Sequence, residues 1–171
     1  MPVFSDNPEE WQRLDLRLLQ NGSIHLYCSP AILAEDAEWL QTHSYMLDNF
    51  DCSRWETKEK MHEELASNLE FPDYYGKNLD ALNDCLGDIA LPDGGGRVLV
   101  FNRYDVFTAR FPDMAWPLLD IIDGNAWFHL LFGRRLFALV QSDNPGIEFP
   151  LIGSRPAMWN PREWPRKNRG L

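Results

Sequence analysis

Hydrophobic positions along the chain follow two rhythms. Stretches of strand length occur at 24–28, 45–50, 97–102 and 136–141, and the last two are apolar almost throughout, as expected of strands buried on both faces. Between them, apolar residues recur every three or four positions. Leu33, Ala37 and Leu40 form one such stripe, Met61, Leu65 and Leu69 a second, and Leu79, Leu82, Leu86 and Ile89 a third. Each predicts a helix with one buried face. The punctuation agrees. Ser29-Pro30 is a helix start, with serine as cap and proline at the first helical position. Ser53 and Glu56 have the spacing of a capping box for a helix over 55–69, and Phe71-Pro72 ends it. Asn78 caps the next helix.

A further helix is predicted over Met114–Asp123, whereas Trp127–Phe132 fits either helix or loop. Trp55, Trp116 and Trp127 are assigned to the core, and residues 1–22 read as irregular and polar. Strands alternating with helices predict an α/β fold whose sheet is mostly parallel and joined by right-handed crossovers.

Charge narrows the function classes. The net charge is −10, and the last 17 residues hold five basic side chains against one acidic, so the rest of the chain stands at −14. Such a surface repels phosphate and attracts cations, which argues against nucleic acid as a partner. The basic tail around Trp159 and Trp164 reads instead as an aromatic-anchored extension, with a short edge strand among its expected elements. Three cysteines, Cys28, Cys52 and Cys85, fall in no metal-binding or paired spacing and are expected as reduced thiols of a cytoplasmic protein. No secretory leader is recognised, and no run approaches the ~20 apolar residues of a membrane span. No cofactor or metal is called for.

The chemistry concentrates in residues 71–88. Asp80, Asp84 and Asp88 lie at i, i+4 and i+8, on a stripe away from Leu79, Leu82 and Leu86. Like charges at that spacing cost about 0.2–0.5 kcal/mol per pair, so the stripe works against its own helix. A solvated acidic face explains it blandly. Tyr74-Tyr75-Gly76 just before the helix adds aromatic surface beside the carboxylates, a mixture typical of interface hot spots. Gly76 is expected to supply a turn conformation that other residues reach less easily.

The motif Pro72-x-Tyr74-Tyr75-Gly76-x-Asn78-Leu79-Asp80-Ala81-Leu82-x-Asp84-Cys85-Leu86 resembles the barstar family of intracellular ribonuclease inhibitors. The resemblance implies one domain over 1–171, with a core at 45–142 and extensions at 1–44 and 143–171. It implies a mostly parallel three-stranded core sheet packed by helices, and inhibition by occluding a nuclease active site. Asp84 would then be the central anchor, and Asp80 would pair with a neighbouring arginine of the target. Tyr74 would pack on its catalytic residues, with Tyr75, Gly76, Asn78, Asn83 and Asp88 completing the surface. Asp123, or secondarily Asp120, would supply a further acidic contact. Two departures bear on the target. Asn83 stands where barstar has a bulky tryptophan, and Lys77 replaces an acidic residue. The expectation is therefore a non-enzymatic inhibitor or immunity protein, monomeric when free, whose partner is a basic nuclease.

Two rivals remain at this stage. Asp80, Asp84 and Asp88 could hold Mg²⁺ in an enzyme, but one carboxylate per turn makes a line rather than an octahedral cage. Alternatively, the same acidic module binds a basic partner that is not a nuclease.

Overall fold

The computed structural model describes residues 6–163 and Gly170. Five strands, β1 (Ile24–Tyr27), β2 (Tyr45–Asp51), β3 (Gly96–Asn102), β4 (Arg135–Gln141) and β5 (Met158–Trp159), form one sheet in the order β2-β3-β4-β1-β5. Every pairing is parallel. The expected three-stranded core is β2-β3-β4, and the flanking segments enlarge it to five by adding β1 and β5 on one side.

The helices are α1 (Leu14–Leu19), α2 (Pro30–Thr42), α3 (Lys58–Leu69), α4 (Leu79–Asp88), α5 (Tyr104–Arg110) and α6 (Pro112–Leu130). They divide between the sheet's two faces because side chains alternate along each strand. Leu99, Phe101, Leu136, Ala138 and Val140 pack with Met61, Leu65, Leu82, Leu86, Leu118 and Leu119 from α3, α4 and α6. Val98, Val100, Phe137 and Leu139 point the other way, against Leu18, Leu33 and Leu40 from α1 and α2. The N-terminal flank is therefore the cover of one face of the core sheet.

Capping follows the sequence in two places and corrects it in a third. Ser29 accepts from Ile32 N–H at 3.4 Å, and Asn78 from Ala81 N–H at 2.9 Å. The α3 cap is Thr57, which accepts from Lys60 N–H at 3.1 Å. Ser53 is instead held by Asp51 in a single 3₁₀ turn, and Glu56 pairs with Lys60, so no capping box forms.

Other readings change as well. Of residues 1–22, the first five lie outside the described residues, and 6–22 contain a 3₁₀ turn at Glu10–Gln12 and the short helix α1, held by the buried Asp15, which takes bonds from Arg13, Tyr45 and Arg135. The helix expected over Met114–Asp123 is the first part of a longer one running to Leu130. Trp55 is fully buried and Trp116 partly, but Trp127 is 59% exposed and not a core residue. It lies on a face of α6 turned outward.

The C-terminal flank closes onto the N-terminal one. Asn160 N–H donates to Leu26 O at 2.8 Å, and the buried Glu163 carboxylate accepts from Cys28 N–H at 2.8 Å and Ser29 N–H at 2.5 Å. A carboxylate thus sits on the α2 N-terminus, where orphan amides and the helix dipole favour it. Trp159 lies in β5, whereas Trp164 and the basic residues at 166, 167 and 169 lie outside the described residues.

Candidate partner-binding site

The candidate surface is built on α4. Leu82 and Leu86 are buried, fixing which way the helix faces. That leaves Asp80, Asp84 and Asp88 exposed, and no described residue hydrogen-bonds or ion-pairs with them. Their field is felt locally. Burial, then the charges of Asp84 and Asp88, push the Cys85 thiol upward, so it stays protonated.

The loop before α4 sorts its two tyrosines. A turn closed by Tyr75 N–H on Pro72 O, at 2.9 Å, leaves Tyr74 87% exposed. Tyr75 points inward, 9% exposed, edge-on to Phe71 at 4.9 Å and hydrogen-bonded through its hydroxyl to His62. Desolvation raises the Tyr75 phenol and lowers the His62 imidazole, so both are neutral there. The partner-contact role read for Tyr75 is corrected: its ring belongs to the core and braces the loop that displays Tyr74.

Gly76 also acts differently from the expectation. The positive φ of this loop belongs to Lys77, at +48°. At Gly76 a Cβ would lie 3.1 Å from Asn78 Nδ2 and 3.4 Å from Ala81 Cβ, so the glycine makes room for the α4 cap. Lys77 turns its ammonium to Glu63 on α3 at 2.9 Å, which locally neutralises the basic departure from the family pattern.

Asn83 is exposed between Asp80 and Asp84, and its side-chain oxygen accepts from Asn125 Nδ2 on α6 at 3.0 Å. Beside it, Tyr74, Asp84, Asp88 and Glu70 rim a groove of about 540 Å³ floored by Leu69, Cys85 and Ile89.

The structure brings Tyr74, Asp84 and Asp88 to the rim of one groove, while Asn78, Asp80 and Asn83 are exposed on α4 or at its cap. It does not bring Asp123 there. Asn125 and His129 face α4, through Asn83 and the Leu86 carbonyl, whereas Asp123 faces the opposite flank of α6. There it accepts the Ser23 hydroxyl at 2.5 Å and abuts Gly153. Asp120 accepts Gly153 N–H at 2.9 Å. Both candidates for the extra acidic contact thus bind the chain's own flanks, so the placement of Asp123 in the partner surface is corrected. Sequence reasoning missed Glu70, whose left-handed backbone (φ 57°) ends α3 at the groove rim. It also missed Arg97, which ties down the chain just beyond α4. Its guanidinium bonds Asp48 at 2.6 and 3.0 Å, Asn68 O at 3.0 Å and Ala90 O at 3.3 Å.

The chain is thus a parallel α/β domain that carries an exposed acidic helix beside a projecting tyrosine. The family model described as barstar (barnase inhibitor) matches residues 45–138, and the chain belongs to the barstar family. A Bacillus subtilis (strain 168) protein named "Putative ribonuclease inhibitor YrdF" is 56% identical over 69 residues, which span 40% of this chain and 71% of that one. The family's description points to an inhibitor rather than an enzyme. The match begins with β2 and ends inside β4, so α1, β1, α2 and β5 lie outside it. Among the described residues no helix is long and apolar enough to cross a membrane, and no cluster of three or more His, Cys, Asp or Glu is arranged to hold a metal ion.

Proposed function

We propose that this chain inhibits a ribonuclease by seating α4 in the enzyme's cationic cleft, with Asp84 as central anchor, Asp80 and Asp88 along the same stripe and Tyr74 packed beside them. The carrying observation is the state of those carboxylates: exposed, unpaired within the described chain, and held on a helix that is locked at its cap, its buried leucines and its far end. A ribonuclease must hold phosphates with Arg, Lys and His. Carboxylates fixed at helical spacing reproduce that charge pattern without a cleavable bond. Complementary fields speed encounter, and desolvated ion pairs slow release. Holding the carboxylates apart from internal partners keeps the whole charge for the target. Because Asp120 and Asp123 bind the chain's flanks, the acidic contact set is centred on α4.

The Asn83 and Lys77 departures bear on which enzyme is bound, while the charge logic is common to all of them. The test is titration of RNA cleavage by barnase and a panel of other basic bacterial ribonucleases. Stoichiometric inhibition of at least one is expected, weakened by at least ~2 kcal/mol in Asp84→Ala, the usual hot-spot threshold. If no enzyme of the panel is slowed by micromolar protein, or if Asp84→Ala changes inhibition by less than about 0.5 kcal/mol, well below hot-spot scale, the reading fails.

A further inference from the structure

The flank of α6 turned away from α4 carries groups that the inhibitory surface does not use. Between that flank, the turn from α1 into β1 and the strap Ile152–Arg155 lies a cavity of about 240 Å³. Leu19, Trp127 and Leu130 wall it, and Asp123, Arg135 and Arg155 bring charge to it. Its volume equals roughly eight liquid waters at ~30 Å³ each. That is below the ~300–1,000 Å³ of sites for drug-sized ligands, so an occupant is small.

The three charges are not equivalent. One Asp123 oxygen takes the Ser23 hydroxyl, and the other is pressed so close to Gly153 that a Cβ there would lie 1.8 Å away. Arg135 donates through Nη1 to Asp15 at 3.0 Å and to the Tyr45 hydroxyl at 3.1 Å. Arg155 is committed to neither kind of bond. Its backbone is fixed by two hydrogen bonds with Ile152, at 2.7 and 2.9 Å. Its guanidinium lies over the Trp127 ring, 5.9 Å from the centroid, and no described carboxylate pairs with it.

The chain carries −10 overall, yet Arg155 brings to this cavity a guanidinium that no described carboxylate pairs with, whereas Arg135 is paired with Asp15 and Asp123 is engaged by Ser23. A planar cation presented on an indole at the rim of an apolar cavity matches an acid with an apolar body. Its carboxylate would bridge the guanidinium fork, and its body would lie on Trp127 and the leucines.

We propose that this cavity is a binding site for a small monocarboxylate with an aryl or short alkyl body, with Arg155 as its anion receptor and Trp127 as its wall. The site is independent of α4 and of the inhibitory reading. The experiment titrates the full-length ¹⁵N-labelled protein with benzoate and hexanoate, and in parallel with the neutral isosteres benzamide and hexanamide. It follows the Trp127 indole N–H, assigned with Trp127→Phe. A saturable shift of that resonance is expected, with the acids binding at least tenfold tighter than the amides. Arg155→Gln, at an exposed side chain, removes the preference for the acids. Gly124→Phe blocks binding of all four probes; a Cβ at Gly124 meets no atom within 4 Å, so the fold accepts the new side chain at the cavity's edge. Unchanged resonances elsewhere report that both variants stay folded. The proposal is overturned if the Trp127 resonance does not move at tens of millimolar acid. It is equally overturned if the amides bind as well as the acids, or if Arg155→Gln leaves the acid affinity where it was.

Discussion

Asn125 on α6 donates its side-chain amide to the side-chain oxygen of Asn83 on α4 at 3.0 Å, and to the Ile121 carbonyl of its own helix at 2.9 Å. The bond ties the exposed edge of the acidic helix to the helix behind it, at the position where barstar carries a bulky ring. Asn125 is buried and Asn83 is exposed, so water competes for one end of the bond only. Asn125→Ala should lower stability by about 1 kcal/mol, the usual net worth of one hydrogen bond. In urea unfolding, Asn83→Ala combined with Asn125→Ala should lose less than the two single changes added together. Strict additivity would mean that the pair does not clasp the helices.

Asp88 closes α4, where the helix dipole disfavours a negative charge, and it lies one turn from Asp84. The dipole contributes about 0.3–1 kcal/mol and the like-charge pair about 0.2–0.5 kcal/mol, both unfavourable. Asp88→Asn should therefore raise the unfolding free energy by a few tenths to about 1 kcal/mol at low salt, with the gain shrinking as salt screens it. The same variant should weaken inhibition of the target ribonuclease. A variant that gained nothing in stability would show that the acidic stripe is not under electrostatic strain.

Arg97 and Asp48 form a bidentate pair at 2.6 and 3.0 Å, their side chains 3% and 10% exposed. The remaining Arg97 donors reach carbonyls in the last turn of α3 and just beyond α4, so one side chain links β2, β3 and both helices that frame the groove. Removing one partner of such a pair strands the other charge, which typically costs about 3–5 kcal/mol. Arg97→Met should lose that much in chemical denaturation, and Arg97→Lys should lose most of it, since an ammonium cannot reproduce the planar fork. A loss below about 1 kcal/mol for Arg97→Met, the scale of an exposed ion pair, would show that the charges are solvated.

What could be read in advance follows from how local each signal is. β3 and α4 were legible because a continuous apolar run and an i, i+3, i+4 stripe with an asparagine cap are properties of a dozen neighbouring residues. The six-residue α1 and seven-residue α5 were not, because so few residues establish no period. Their stability comes from long-range contacts, such as the Tyr104 hydroxyl bonded to Ala115 O and Asp15 bonded to Tyr45 and Arg135. At the site, the outward aspartates followed from helical geometry alone. Which of Tyr74 and Tyr75 turns inward depends on His62, thirteen residues away from Tyr75. Whether Asp123 is available depends on Ser23 and Gly153, which no local pattern connects to it.

His25 lies buried in β1, its Nε2 3.0 Å from the Gly22 carbonyl oxygen and its ring edge-on to Phe137. Burial holds its pKa down to about 4 against an ordinary value of 6.5. Between those values the unfolded chain binds the proton and the folded chain does not. Stability is therefore complete above pH 6.5 and is lost as pH falls toward 4, by roughly 3 kcal/mol at about 1.4 kcal/mol per pH unit. His62, lowered chiefly by burial, acts with the same sign. Urea unfolding between about pH 7.5 and pH 4.5 should show the loss, and His25→Gln should flatten it. An identical slope in that variant would remove His25 as its source.

The family match covers residues 45–138, but the sheet face formed by Tyr45, Val98, Val100 and Phe137 is completed by Leu18, Tyr27, Leu33 and Leu40 from outside it. Each of those four sheet residues is at most 3% exposed. Uncovering a large apolar side chain forfeits about 1.5–3 kcal/mol, so four together lose about 6–12 kcal/mol. That is comparable to the ~5–15 kcal/mol that holds a typical domain together. Deleting residues 1–44 also unpairs β4 from β1 and leaves Glu163 without the amides of Cys28 and Ser29. A chain of residues 45–171 should therefore fail to fold as a monomer. It should lose its near-ultraviolet circular dichroism, show no cooperative thermal transition and aggregate through the uncovered face. If that fragment instead unfolds cooperatively, with a stability within about 2 kcal/mol of the full chain, the N-terminal flank is an accessory rather than part of the core.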